Sequence, residues 1–287
     1  MRVAVIAGKI SRMPLGEIFT RILNSYNTIE ATHFDLTEIQ EVKGGFDLYL
    51  RLGDDNYEEI PSFLHPVAWW VNDTHLKKSY RKIKRMVKNY DFIFCAQKEG
   101  ALKLYKETGK KTFWIPWACD EPPADFKFVE DREKVWDICF IGTSGKYSLR
   151  KVVLEVLRIN YKNIFIGRAD YRELRDYYSK ARIVVNYPIN NDINARIFEA
   201  MSSGSLVITC RIKNNGFSEI FEEGENIVVF EDILKDMKQK IDYYLQNKEE
   251  RERITLKGFE LVNRYHTYRH RLKEMFKIMG YDLESLK

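Results

Sequence analysis

The sequence predicts an α/β protein of two domains, each a parallel β-sheet covered by helices on both faces. Three observations carry this. Short β-branched and aromatic runs alternate with helical patterns from RVAVIA at Arg2 to NIVVF ending at Phe230, the pattern of buried parallel strands joined by crossover helices. The alternation breaks once, over residues 116–134, where Pro122 and Pro123 are adjacent and neither period survives, as expected of a domain boundary. Finally, 287 residues with 45% apolar content are enough for two cores of ordinary size.

The elements follow in order. In a first domain of residues 1–122, strands are expected at 2–7, 29–34, 46–50, 67–71, 91–95 and 112–115, with helices at 15–26, 75–90 and 98–108. In a second domain of residues 123–265, strands are expected at 136–141, 163–167, 182–186, 206–209 and 226–230, with helices at 149–158, 171–179 and 194–203. Beyond Asp232 the pattern is helical only. The last helix, near 268–279 within a tail of 266–287, is expected to cross back and brace the first domain. No repeat of 20–50 residues is visible, which excludes a solenoid.

Composition narrows the function classes. The 47 basic and 42 acidic residues leave a net charge of +5, too mild for a dedicated nucleic-acid binder, so no nucleic-acid partner is expected. Cys95, Cys119, Cys139 and Cys210 are widely spaced, without a C-x-x-C pair, and no secretory leader pattern opens the chain; reduced thiols and a cytoplasmic location are expected. No apolar run approaches the roughly 20 residues of a membrane span, which leaves at most peripheral contact with a membrane surface.

Ligands of open parallel sheets bind outside the carboxyl ends of the strands. Two Rossmann-like domains facing each other across a cleft would line it with strand-to-helix loops, so the residues just after each strand are the ones to examine. The most informative segment reads NARIFEAMSSGSLVITC and then GFSEIFEEGENIVVF. A carboxylate near a helix start can accept hydrogen bonds from vicinal ribose hydroxyls while neighbouring backbone N–H groups hold phosphate. Glu199 is the candidate ribose ligand; the competing reading is an N-terminal helix Glu stabilised by the helix dipole.

This segment resembles the donor-binding part of glycosyltransferases with the GT-B fold, matched at Glu199, Ala200, Met201 and Gly204 and continued by Glu219 and Gly224. A narrower resemblance, over residues 114–270, is to the CgeB-like glycosyltransferases. It is carried by WIPWACD, DICFIGTSGKYSLR, NARIFEAMSSG and HTYRHR. The resemblance implies transfer of a hexose from a nucleotide sugar, a UDP-sugar above all, to a glycan, protein or lipid-linked acceptor. One departure stands out: family-4 glycosyltransferases carry two Glu seven residues apart, and the first position here is Asn191, followed by Asp192. CgeB-like proteins keep an Arg in this region, matched by Arg196.

The loop after the first strand of the second domain, Gly142, Thr143 and Ser144 with Lys146 and Arg150, is where a diphosphate would meet a helix N-terminus. It is not a Walker A motif, because Gly142 and Gly145 enclose two residues and Tyr147 follows Lys146. No G-x-G-x-x-G follows any strand, which disfavours a Rossmann dehydrogenase. The acidic doublet Asp54–Asp55 is not a D-x-D, so no metal and no cofactor are expected. Lys146, Arg150, Arg168 and Arg196, with Asn194, are then the candidates for holding the donor and stabilising the leaving group; for Lys146 a solvated surface charge is the alternative.

In the first domain the strand VAWWV runs into Asn72, Asp73, Thr74 and His75. Asp73 and His75 are the general-base candidates, although Asn72, Asp73 and Thr74 are also good N-caps for the helix that follows. That helix carries Lys77, Lys78, Arg81, Lys82, Lys84, Arg85 and Lys88. Such a face could meet anionic lipid, a phosphorylated acceptor or only water. His266 and His270 lack the Glu of H-E-x-x-H and read as surface or docking residues. The rival functions are a nucleotide-sugar epimerase or hydrolase of the same fold and a non-catalytic sugar-nucleotide or glycan-binding protein.

Overall fold

The computed structural model describes residues 1–8, 13–54, 57–145 and 148–284. They form two compact units, one of Met1–Pro116 with Tyr268–Lys287, the other of Trp117–Thr267. The first unit ends at Pro116, upstream of the Pro122–Pro123 pair, for a local reason. The Ile115 N–H still pairs with Cys95 O at 2.9 Å, and Arg271 Nε donates to Pro116 O at 2.8 Å. Cys119 instead bridges to Thr267, and its N–H bonds His266 O at 3.2 Å, within the second unit.

The first unit holds strands β1 (Arg2–Ala7), β2 (Glu30–Asp35), β3 (Leu48–Leu52), β4 (Val67–Val71), β5 (Phe92–Cys95) and β6 (Thr112–Trp114). All are parallel, in the order β2-β1-β3-β4-β5-β6. Helices α1 (Leu15–Leu23), α2 (Lys77–Met86) and α3 (Lys98–Thr108) cross between strands. The central strands LYLRL and VAWWV are buried at every position, as a sheet covered on both faces requires. Arg51 is the exception in kind: fully buried, it donates to Glu58 O at 2.8 Å and Tyr90 Oη at 2.6 Å, and its guanidinium lies 4.7 Å from the Trp69 ring. Those contacts offset its desolvation.

The second unit holds β7 (Trp136–Ile141), β8 (Ile164–Gly167), β9 (Ala181–Asn186), β10 (Leu206–Cys210) and β11 (Val228–Phe230). They too are parallel, in the order β11-β10-β9-β7-β8. Helices α4 (Leu149–Asn160), α5 (Tyr171–Ser179), α6 (Ala195–Ser202), α7 (Phe217–Ile220), α8 (Asp236–Gln246) and α9 (Lys248–Tyr265) complete it. The last helix, α10 (Tyr268–Ile278), belongs to the first unit, where the Tyr268 ring lies 5.7 Å from Phe19 and 6.2 Å from Trp70. Among the described residues no helix is long and apolar enough to cross a membrane.

Two helix starts differ from expectation. α2 begins at Lys77 rather than His75, and its N-cap, Leu76, offers no side chain to the helix. Asn72, Asp73 and Thr74 all precede that residue, and none of their side chains caps the helix. Glu199 lies in the second turn of α6, whose first turn carries no acid. The helix-dipole reading of Glu199 fails accordingly, since that field decays within one turn.

Strand order reverses between β1 and β3 in one unit and between β7 and β9 in the other. These are the switch points at which the two adjacent crossovers leave for opposite faces of the sheet and open a crevice at the carboxyl edge. The fold thus singles out the loops after β3 and β7 and the start of α6.

Candidate functional site

In the second unit, the chain leaves β7 at Gly142 with φ +147°, a backbone conformation reserved for glycine. Its N–H bonds Gly167 O at 2.9 Å. A Cβ at Gly142 would overlap Arg196 Nη2, so the missing side chain is what lets the guanidinium reach the loop. Arg196 donates to Ile141 O at 2.9 Å and to Asn186 Oδ1 at 2.8 Å, and lies 4.4 Å from the Phe140 ring. Arg150, in the first turn of α4, donates to Tyr187 O at 2.6 Å and Thr143 O at 3.0 Å and approaches the same ring at 5.8 Å. Two guanidinium groups thus meet the start of one loop, Arg196 at Ile141 and Arg150 at Thr143.

Their proximity is electrostatically unfavourable as it stands. Burial, and then the neighbouring Arg196 charge, push the Arg150 guanidinium down to about 10. Like charges held this close by hydrogen bonds to neutral carbonyls favour an anion beside them. Among the expected donor residues, Gly142, Thr143, Arg150 and Arg196 come together here. Ser144 is exposed on the same loop and accepts a 3.4 Å bond from Ser148 Oγ. Asn194 is the N-cap residue of α6; its side chain makes no cap bond, and its Oδ1 is buried without a partner. Arg168 is not drawn in: it is exposed after β8, with no ion-pair partner among the described residues. Lys146 lies outside the described residues.

Glu199 is partly covered as a residue, but its Oε1 is buried and has no hydrogen-bond partner. Burial raises its carboxyl to about 7, against the opposing pull of Arg196 and then Arg175. Arg175 itself is tied to the backbone, donating to Ser202 O at 2.6 Å and Asp120 O at 3.0 Å. The Tyr171 hydroxyl is pushed up by burial and then by Glu199. A buried acceptor atom without a donor costs about 1–3 kcal/mol. A ligand hydroxyl would remove that cost. Arg175 and Tyr171 escaped sequence reading because YRELR looks like an ordinary helix start; their position just after β8 was the available signal.

Asn191, at the place of the missing first Glu, has φ +61° and is fully occupied. Its amide bonds both Lys213 O and Lys213 N, and its own carbonyl accepts from Asn215 Nδ2 at 2.9 Å. It clips the 213–215 loop and offers no charge.

In the first unit, the residue after the β3 turn is Asp54, buried, with Oδ2 accepting from the Asn72 N–H at 2.8 Å and the Asp73 N–H at 2.6 Å. Its Oδ1, and Oδ1 of the buried Asn72, have no partner. Burial, then the Asp73 carboxylate, raise Asp54 to about 7. Thr74 donates to Gln97 Oε1 at 2.7 Å, and Gln97 returns a 2.6 Å bond to Asn72 O. Of the expected pair, Asp73 is partly buried beside Asp54, and His75 lines a recess with Thr74, Lys77, Arg81 and Lys103. Asp55 lies outside the described residues, and among those described no three His, Cys, Asp or Glu cluster as a metal site would. His266 ends α9 with its ring 5.9 Å from Phe198.

Comparison with known proteins decides the family. The model of the family described as glycosyl transferase-like matches residues 129–277, more than half of the 287. The chain belongs to the glycosyl transferase-like family. No curated protein matches its sequence. Among solved structures, HepE of Anabaena, in complex with UDP and glucose, aligns with TM-score 0.69 at 11% identity over 98% of this chain and 99% of that one. An α-glucosyltransferase in complex with UDP and a DNA 13-mer gives 0.66 at 13%, covering 98% and 99%. Sucrose-phosphate synthase of Thermosynechococcus elongatus gives 0.64 at 12%, covering 98% of each chain. The fold is therefore GT-B, two parallel-sheet α/β domains of six and five strands.

Proposed function

We propose that this glycosyl transferase-like protein moves a sugar from a nucleotide-sugar donor held by the second unit to a hydroxyl-bearing acceptor recognised by the first. The observation that carries the reading is the buried, unpartnered Oε1 of Glu199, one turn along α6 from Arg196. A ribose diol would donate to it, and the diphosphate would lie against the Gly142–Ser144 loop beside the Arg150–Arg196 pair. Solved relatives of the same fold hold UDP or UDP-glucose, which favours a UDP-sugar.

In this reading the two guanidinium groups stabilise the departing diphosphate in place of a divalent cation. A CgeB-like subtype accords with Arg196 and with the loss of the first Glu at Asn191. Asp73 or His75 takes the acceptor proton.

Titration calorimetry with UDP, in buffer containing EDTA, tests the donor site. Glu199→Ala should weaken binding by about 1.5–3 kcal/mol, the range for a hydrogen bond to a charged group, without loss of fold. Unchanged UDP affinity in a folded Glu199→Ala protein removes Glu199 from the site. A strict need for Mn²⁺ or Mg²⁺ removes the metal-free part.

A further inference from the structure

The basic helix α2 does not simply present its charges to water. Lys77, Arg81 and Lys84 recur along one stripe of α2, and Lys103 faces them from α3 across a recess that begins at Thr74 and His75. Four cations meet one carboxylate there, Glu107. That carboxylate is already used: Lys84 pairs with it at 2.9 Å, and Tyr80 Oη donates to it at 2.9 Å. The Lys103 ammonium lies 4.3 Å from the centre of the Tyr80 ring. Lys77 and Arg81 are exposed and have no acidic partner among the described residues.

Here like charges stand at i, i+4 spacing, which destabilises a helix by a few tenths of a kcal/mol per pair, and a further cation from a second helix meets them. An anion with several acceptor oxygens would offset that repulsion and take hydrogen bonds from Arg81 and the lysines. The recess is open, and every side chain that lines it carries a charged or polar group. Its other end, at Thr74 and His75, follows β4, where the acceptor is expected to react.

We propose that the recess between α2 and α3 binds a phosphate group carried by the acceptor, so that the acceptor is a phosphate ester whose hydroxyl lies toward His75. This rests on the glycosyl-transfer reading for the word acceptor, while phosphate binding itself does not. The ester can be a soluble sugar or polyol phosphate or the head group of a phospholipid.

The test uses the whole chain with UDP at saturation, so that the proposed donor site cannot take up the probe. One arm titrates glycerol 3-phosphate by calorimetry. The other measures sedimentation with phosphatidylcholine vesicles, with and without phosphatidylglycerol. The double variant Arg81→Gln/Lys103→Gln is compared with Lys82→Gln/Lys88→Gln, which removes equal charge from nearby positions outside the recess.

The recess variant should lose about tenfold or more in affinity, some 1.4 kcal/mol, and the control should stay within about twofold. Binding in the first arm assigns a soluble ester; binding only to phosphatidylglycerol vesicles assigns a lipid. Equal losses in the two variants mean a diffuse surface charge and overturn the proposal, as does the absence of binding in both arms. UDP affinity of the same proteins reports separately on the donor reading. If UDP fails to bind while the phosphate effect stands, only the donor reading falls.

Discussion

Replacing Glu199 by Gln should make the protein more stable at neutral and alkaline pH. The carboxyl is raised from 4.5 to about 7 by burial, with Arg196 and Arg175 opposing. An acid whose folded pKa lies above its unfolded value binds more protons when folded, so stability falls as pH rises from the unfolded to the folded pKa. At about 1.36 kcal/mol per pKa unit, this shift corresponds to about 3 kcal/mol lost between about pH 4.5 and 7. Gln keeps the shape and cannot ionise. The variant should match wild type near pH 4.5 and exceed it by about 3 kcal/mol at about pH 8. Urea denaturation followed by fluorescence across that range reads the difference directly, and the titration of Asp54 cancels because both proteins contain it. Parallel stability curves for the two proteins would refute the buried, ionisable Glu199. Under the proposed function UDP affinity carries the opposite sign: ribose hydroxyls would donate to the carboxylate, so wild-type affinity should rise relative to the variant's as pH passes through about 7.

Three further substitutions test particular positions. Gly142→Ala places a Cβ at φ +147° against Arg196; it should cost about 1–3 kcal/mol of stability and weaken UDP binding, which melting curves and calorimetry on one preparation would show. Asp73→Ala and His75→Ala should leave the melting temperature nearly unchanged, since neither caps α2. The variant lacking the base should lose about 10²–10⁴ in turnover at unchanged UDP affinity. Full turnover in both would clear the pair of a catalytic role.

The sheets were legible because buried parallel strands are apolar on both faces, and VAWWV and WDICFI need no tertiary information to be recognised. Helix ends were less so. The N-cap propensity of Asn72, Asp73 and Thr74 suggested a start at His75, yet the backbone N–H groups of Asn72 and Asp73 are taken by Asp54 from the loop after β3. No local pattern encodes that. The Gly142 loop could be read from its place after the first strand of the second domain, and Arg196 from the family resemblance. That Arg150 ties Thr143 to Tyr187 could not, because it depends on the order in which β7 and β9 pair. Asp54 drew attention as part of an acidic doublet, whereas its burial follows from its place after β3 at a switch point.

The two switch points solve one problem with different partners. Each places a carboxyl near the carboxyl edge of a parallel sheet, buries it, raises it to about 7 and leaves one oxygen without a donor. Around Glu199 the neighbours are cations, Arg196 and Arg175, which favour the ionised form and a ligand that combines hydroxyls with negative charge. Around Asp54 the largest charge effect after burial is that of another carboxylate, Asp73, which favours the protonated form against the weaker pull of Arg51. A group that is half protonated near neutrality, and held by two backbone N–H groups on its other oxygen, is suited to share a proton with a neutral hydroxyl. The electrostatic asymmetry between the units accords with the proposed transfer, which asks for an anionic donor in one and a hydroxyl acceptor in the other, and it arises within each sheet from the residues that follow the strands.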